Sequence, residues 1–463
     1  QDIVDMNHKA IDLGATAFTK VEVPASWANA EDKAAAEALE GNKELVEMVE
    51  EILGKKVESP VRQLNRLLTE DVALRTRSVA WKCGPEFLHL LERYAESFAT
   101  FGPGFGSVYL DDQPLLRRDE LRKMYKREFS LLTPAQRVAR MKATLETRMA
   151  SWEEKLYKQY EQSFSGKYSG RELTFVSRMA VSQRLQPVRA RLREMLEVKG
   201  DALLKEVMKE APKELRDAYL DNRKAGITWW EDAVAEAYLQ VRLGFAPQDK
   251  SIYHLLVDEA QDYSETALAL LHVYHPNARV TLLGDPMQRT CPGMPACAPE
   301  RWGECFGEAD APVFHLNRCY RSTLPIARLC EALLPGDGRL EPIGREGDAP
   351  LVAQYSEALL RQTLDRFRAA GHKSIAVLTR TQPQADSLSA RLENVYRLDG
   401  GEADLNYEST DNVVACYHLT KGMEFDAVIV VWPDCELTDG ERRRLYTACS
   451  RALHAVALLG GGQ

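Results

Sequence analysis

The sequence predicts an α/β protein of two sheet-bearing domains, with a large block of helices set into the first. Three observations carry that prediction. An apolar strand, helix, strand pattern runs from Ser251 to Arg289; a charged, helix-forming stretch occupies 61–245; and further runs of buried-strand type recur after residue 370. With 463 residues and 45% hydrophobic content, the chain has the length of about three ordinary domains and sequence enough to give each a core.

Residues 1–60 mix a short apolar run, Phe18 to Val23, with an Ala and Glu-rich helical stretch, Glu31 to Leu53. They read as part of the first α/β domain. The stretch 61–245 reads as a helical insertion within that domain. Its clearest element starts at Thr133-Pro134-Ala135-Gln136, an N-cap Thr, a Pro in the first helical position and a Gln three residues after the cap. Apolar positions Val138, Met141, Leu145, Met149, Trp152, Leu156 and Tyr160 follow at an 11-residue repeat, so the stripe stays nearly straight. A helix of about 40 Å results, suited either to an arm or antiparallel hairpin or to a long helix in a bundle. Cations concentrate around it: Arg117, Arg118, Arg122, Lys123, Lys126 and Arg127, then Arg184, Arg189, Arg191 and Arg193. They could meet nucleic acid or an acidic partner, while the interspersed Asp119, Glu120 and Glu128 also allow a solvated face. Gly200, Pro212 and Gly226 divide the remaining helices, and Trp229-Trp230 opens the last one before the break at Phe245-Ala246-Pro247.

Residues 246–312 complete the first domain. Ile252 to Val257 reads as a buried parallel strand that delivers Asp258 and Glu259 at its carboxyl end. Ser264 caps an amphipathic helix, and a second buried strand, Val280 to Leu283, ends in Gly284-Asp285-Pro286-Met287-Gln288-Arg289. Asp258, Glu259, Asp285 and Gln288 therefore share one sheet edge, where open α/β folds bind ligands. The set suits hydrolysis of a phosphate anhydride: a carboxylate for Mg²⁺, a second to take a proton from water, and a Gln to sense the terminal phosphate. A lone Asp-Glu pair would read as a solvated turn; the second polar strand end favours a site.

Residues 313–463 form the second domain. Val313 to Leu316 reads as a short strand, Ile375 to Thr379 as a buried strand with its helix at Gln384 to Leu392, and Val413 to Tyr417 and Ala427 to Trp432 as two more. Arg443 to Ala452 is the last helix, and Ala455 to Leu459 closes the sheet.

Nine cysteines without regular spacing fit reduced thiols and a cytoplasmic location rather than a disulfide framework. Cys291, Cys297 and Cys305 cluster but lack a CxxC pair, and read as packed or surface thiols. No apolar stretch approaches about 18 residues without charge, so no membrane span is expected. The net charge of −9 excludes a uniformly basic surface and leaves room for a local basic groove.

Five blocks now stand in order: DEAQDYS at 258–264, LLGDPMQ at 282–288, LNRCYRST at 316–323, HLTKGMEFDAV at 418–428 and RRLYTACSRA at 443–452. They resemble motifs II to VI of the superfamily 1 helicases of the UvrD and Rep type, most closely the HelD group, which includes proteins labelled DNA helicase IV. The resemblance implies two RecA-like domains of the P-loop NTPase type with ATP at their seam. Carried over residue by residue, it implies that Asp258 binds Mg²⁺ and Glu259 activates water. Gln288 and Arg321 would contact the γ-phosphate, and Arg451 would reach it from the second domain. Tyr320 would stack on adenine and Glu424 bond the ribose, with Gly422 and Asp285 also in the nucleotide site. The implied partner is single-stranded or partly duplex DNA; Trp229, Trp230, Trp302 and Trp432 are candidates for base stacking or for the core.

Two departures stand out. No GxxxxGK[ST] phosphate loop occurs in the chain, so the expectation is a fragment whose natural parent carries that loop upstream of Gln1. Only about a hundred residues separate the fourth and fifth motifs, too few for the extra subdomain of UvrD and Rep. HelD-like proteins share that economy and are ATPases that bind RNA polymerase, which makes polymerase remodelling the alternative function.

Overall fold

The computed structural model describes residues 43–58, 60, 63–64, 73–289, 291, 293–295, 298–334, 341–399, 412–432 and 435–460. The run Phe18 to Val23 and the first part of the stretch from Glu31 lie outside them.

Helices α1 (Lys43–Leu53), α2 (Ala73–Lys82) and α3 (Pro85–Phe101) come first. A small antiparallel hairpin follows, β1 (Val108–Leu110) with β2 (Gln113–Leu116); strands this short, one containing Pro114, leave no period-2 pattern to read. Helix α4 (Arg118–Lys123) runs into a π turn at Met124–Glu128. Helix α5 (Pro134–Phe164) begins at the expected box: the Thr133 hydroxyl accepts from the Gln136 amide at 3.3 Å, and the Gln136 side chain accepts from the Thr133 amide at 3.1 Å. A short connection returns the chain as α6 (Gly170–Leu196). Val138, Met141, Leu145, Met149 and Leu156 of α5 share a core with Val181, Leu185, Val188 and Leu192 of α6. Of the two arrangements the sequence allowed, this is the hairpin.

Helices α7 (Gly200–Val207), α8 (Lys213–Lys224) and α9 (Trp230–Leu243) complete the helical stretch. The stretch divides between two cores. One belongs to the α5–α6 hairpin with β1, β2 and α4. The other joins α1, α3, α7 and α9 to the strand and helix that follow them. Helix α9 is buried on all sides, with Ala233, Ala235 and Ala237 admitting close neighbours. It therefore carries Glu231, Asp232 and Glu236 into the interior, each with a cation: Arg75, Lys82 at 2.5 Å, and Lys55 at 3.2 Å. Arg75 and Lys82 also lie over the Trp229 ring at 4.1 and 5.1 Å. Trp302 and Trp432 are core residues, the second of the two readings the sequence left open for them.

Strands β3 (His254–Val257) and β4 (Arg279–Leu282) pair in parallel, joined by α10 (Glu265–Tyr274), whose cap Ser264 accepts from the Ala267 amide at 3.1 Å. The expectation of two fully buried strands is corrected. Among the described residues this sheet has two strands and one covered face: Leu255, Val257, Val280 and Leu282 pack on the core, while His254, Leu256 and Thr281 are exposed. Val313 to Leu316 is not a strand either, because no neighbouring strand pairs with it among the described residues; Phe314 and Leu316 are exposed. Pairing begins at β5 (Arg318–Cys319), against β6 (Glu341–Pro342), with α11 (Leu324–Leu333) between them.

The remaining strands build one all-parallel sheet in the order β7-β12-β11-β8-β10-β9. They are β7 (Leu351–Gln354), β8 (Ile375–Thr379), β9 (Tyr396–Arg397), β10 (Val413–Cys416), β11 (Phe425–Trp432) and β12 (Ala452–Gly460). Alternation along β8 sets the layers: Ile375 and Val377 face α12 (Glu357–Ala369) and α13 (Gln382–Ser389), whereas Ala376 and Leu378 face α11 and α14 (Asp439–Cys449). The sequence placed α13 at 384–392 and α14 at 443–452; caps at Thr381 and Thr438 start both earlier. Strand β12 does not close the sheet but lies between β7 and β11. No helix among the described residues is long and apolar enough to cross a membrane.

Two measurements test this packing. Lys82→Ala strands the Asp232 carboxyl in the interior and is expected to cost about 3–5 kcal/mol in urea unfolding, whereas Lys82→Met with Asp232→Leu stays close to neutral. His418 is buried with Nδ1 2.9 Å from Cys416 Sγ, and burial holds its pKa down to about 3, from 6.5. As pH falls through 6.5 the unfolded chain takes up a proton that the folded domain refuses until about 3, so stability declines across that window. His418→Gln is expected to flatten this acid slope in urea titrations run at a series of pH values.

Candidate functional site

The site forms where the carboxyl edge of β3 and β4 faces the amino edge of β11 and β12. Asp258 and Glu259 follow β3 directly. Glu259 has a left-handed backbone, φ 51° and ψ 37°, and its amide donates to Asp258 Oδ1 at 2.8 Å. A residue with a Cβ holds that conformation at a cost of about 1–3 kcal/mol, a strain that concentrates at functional positions. The conformation turns Glu259 back over its own strand end.

Gln261, buried, clamps the two strand ends together. Its Nε2 donates to Glu259 Oε2 at 2.5 Å, and its Oε1 accepts from the Asp285 amide at 3.0 Å. Gly284 is required beneath it, since a Cβ there would lie 2.3 Å from Gln261 Oε1. Asp285 is fully engaged: Oδ1 accepts from the Met287 amide at 2.9 Å, and Oδ2 from Gln288 Nε2 at 3.0 Å and from the Tyr446 hydroxyl at 2.8 Å. Burial and the Asp285 carboxylate both push the Tyr446 phenol well up, so it stays a donor.

Tyr446, on α14, belongs to the second sheet, and two more side chains cross with it. Arg451 Nη2 donates to Gln288 Oε1, and Lys421 Nζ bonds Asp262 Oδ2 and lies 3.4 Å from Glu259 Oε2. Gly422, φ +79°, lets the chain turn directly after Lys421. Arg451 is 1% exposed and, among the described residues, otherwise bonds only the Thr447 carbonyl at 3.1 Å and the Ser450 hydroxyl at 3.2 Å. Burial lowers its pKa, and the nearby Arg321 guanidinium lowers it further; Glu259 and Glu424 work the other way. An anion seated between Arg321 and Arg451 would relieve both effects at once.

The arrangement brings Glu259, Asp285, Gln288 and Arg451 together. Arg321 donates through Nε to Glu424 Oε1 at 2.7 Å, so these two side chains engage each other within the second domain. Tyr320 is exposed beside them, and Asp258 is exposed at the strand end. Sequence reasoning assigned no role to Gln261, Asp262, Lys421 or Tyr446. All four lie inside the quoted blocks, but their importance arises from partners that stand far away in the chain, and only the polar residues clustered in those blocks hinted at it.

A family model described as the UvrD-like helicase C-terminal domain matches residues 417–459. No curated protein matches the chain. Among solved structures, the C-terminal domain of a possible DNA helicase from Lactobacillus plantarum WCFS1 is similar at 30% identity and TM-score 0.25, over 31% of this chain and 88% of that one. The Arterivirus nonstructural protein 10 helicase in complex with DNA is similar at 15% identity and TM-score 0.27, over 46% of this chain and 40% of that one. The residues matched by the family model include Lys421, Gly422 and Glu424 just before β11, Tyr446 on α14 and Arg451 just before β12. Residues 417–459 of this chain are therefore similar to the UvrD-like helicase C-terminal domains.

Proposed function

We propose that the chain is the motor part of a superfamily 1 DNA helicase or translocase, in which ATP hydrolysed between two RecA-like domains drives movement along single-stranded or partly duplex DNA. The observation that carries this reading is the buried Arg451 guanidinium reaching Gln288 across the seam, next to Glu259 and Arg321. The donor set fits the terminal-phosphate and Mg²⁺ half of such a site. Among the described residues the buried Arg451 bonds only neutral acceptors, which suits a phosphoryl oxygen, and the exposed Asp258 uses Oδ1 for the Glu259 amide, which leaves its other carboxylate oxygen for a hydrated Mg²⁺. The chain contains no glycine-rich loop of the phosphate-cradling type.

In this mechanism Glu259 takes the proton of the attacking water, its carboxylate held in place by Gln261. Gln288, Arg321 and Arg451 stabilise charge on the transferring group. Tyr320 stacks on adenine, and Glu424 accepts from the ribose once Arg321 turns away from it. Asp285 holds Gln288 in line and, through Tyr446, registers the second domain. Because the seam contacts exchange partners when nucleotide enters, the domains shift with each cycle.

A second reading, a HelD-like ATPase acting on RNA polymerase in the cytoplasm, is favoured by one feature. The α5–α6 hairpin owns a separate core and leaves Phe175 and Met179 exposed, as a protein-contacting arm would. Retention of RNA polymerase by the chain, and its loss in Phe175→Asp with Met179→Asp, would decide for that reading; retention by neither would set it aside.

Where the two domains act together with a phosphate-cradling loop, single-stranded DNA is expected to stimulate ATP turnover. Glu259→Gln should lower kcat about 10²–10⁴-fold, as expected for loss of a general base. Arg451→Ala should lower it about 10³-fold, as for loss of an arginine finger. Turnover unchanged in both variants would refute the seam as the catalytic centre. The chain Gln1 to Gln463 alone is expected to show no micromolar ATP binding by calorimetry.

A further inference from the structure

A basic surface on α4 and the π turn lies outside the seam and has no part in the reading above. Arg117, Arg118, Arg122, Lys123, Lys126 and Arg127 are all exposed, while Leu121, Met124 and Tyr125 between them are buried and fix the face. Among the described residues, none of these six cations pairs with a carboxylate. The contrast with their surroundings is sharp. On the neighbouring hairpin Arg148 pairs with Glu120, Arg184 with Asp111, Arg189 with Glu153 and Arg191 with Glu194. Of the acids interspersed in the basic run, Glu120 is thus already committed to Arg148. A solvated helix face gains from opposite charges four residues apart; here Arg118 and Arg122, Arg122 and Lys126, and Lys123 and Arg127 place like charges at that spacing. Such like-charge neighbours oppose the local fold. A polyanion laid along the face would reverse that sign.

The second observation is an aromatic ring set among the cations. Phe101, the last residue of α3, is 57% exposed, and Lys126 Nζ lies 5.5 Å from its ring centre. The placement is held rigidly. The Tyr125 hydroxyl donates to the Phe98 carbonyl at 2.9 Å, and Arg137 donates to the carbonyls of Ala99 at 2.8 Å, Leu132 at 2.8 Å and Ser130 at 2.7 Å. Gly102, φ +74°, turns the chain where a Cβ would strike the Phe105 ring at 2.7 Å. The π turn itself is a distortion that recurs at functional positions.

We infer that this face is a second nucleic-acid contact, remote from the seam, which tracks the phosphates of a single strand with Arg118, Arg122, Lys123, Lys126 and Arg127 and stacks one base on Phe101. Unpaired cations grip the backbone without sequence preference, and a preset ring adjoining them favours an unpaired strand over an acidic protein. The local charge is compatible with a chain of net charge −9, because binding depends on the patch.

The test is fluorescence anisotropy of a labelled oligothymidylate of about twenty nucleotides, long enough for the site sizes of single-strand binders, titrated with the chain over a salt series. The parent is expected to bind with an affinity that falls as salt rises. Arg122→Glu with Lys123→Glu and Arg127→Glu should weaken binding at least about tenfold and reduce the salt slope by about 2, since each phosphate no longer neutralised lowers it by about 0.7. Phe101→Ala, at an exposed position, should weaken binding about fivefold or more with the slope kept, as for the removal of one stacking platform. Lys155→Glu with Lys167→Glu and Arg171→Glu, on the hairpin, controls for net charge and should change neither quantity. Circular dichroism checks that each variant is folded. The inference fails if the patch variant binds like the parent, if the hairpin control loses as much, or if poly-glutamate binds the parent patch while the oligonucleotide does not.

Discussion

A buried guanidinium that hydrogen-bonds to no carboxylate among the described residues constrains everything else at the seam. Arg451 is withdrawn from water, repelled by Arg321 and bonded only to an amide, a carbonyl and a hydroxyl. Such a group survives in the interior only where surrounding dipoles are fixed, because each imperfect contact leaves desolvation uncompensated. Gln288 supplies the contact from the opposite domain, and Asp285 fixes Gln288. Asp285 in turn answers to Tyr446, in the last turn of α14, five residues before Arg451. The charge and its support form a closed loop of side chains that runs through both domains.

The acidic wall is held with similar economy. A strained backbone at Glu259, a glutamine spanning two strand ends and a glycine that leaves room for it tie Glu259 to the Asp285 backbone. None of these devices contributes much stability. They restrict where the acids can go, which is what pre-organisation requires. Lys421 supplies the remaining link by bonding Asp262 and approaching Glu259 from the far side.

Much of this was legible in the chain, for reasons that differ by element. Ile375–Thr379 and Phe425–Trp432 are flanked by strands and covered on both faces, so their apolar runs announced them. His254–Val257 carries the same kind of run, yet Leu256 is 68% exposed, because burial depends on neighbours that a linear pattern does not display. Leu351–Gln354 went unread, being a four-residue edge strand with the mixed sequence LVAQ. The helix caps at Thr133 and Ser264 were readable because capping is local. The bond between Arg321 and Glu424 was not, since it joins side chains 103 positions apart.

The place of β12 in the second sheet carries one more implication, for biogenesis. Strand β7 leaves the ribosome long before β12, yet among the described residues its one partner is β12, which also sits against β11. Until residues 452–460 emerge, β7 and one side of β11 present unpaired strand edges, the kind of surface on which nascent chains associate wrongly. Arg451 immediately precedes this late strand, so completion of the sheet and delivery of the guanidinium to the seam are a single event in the life of the chain.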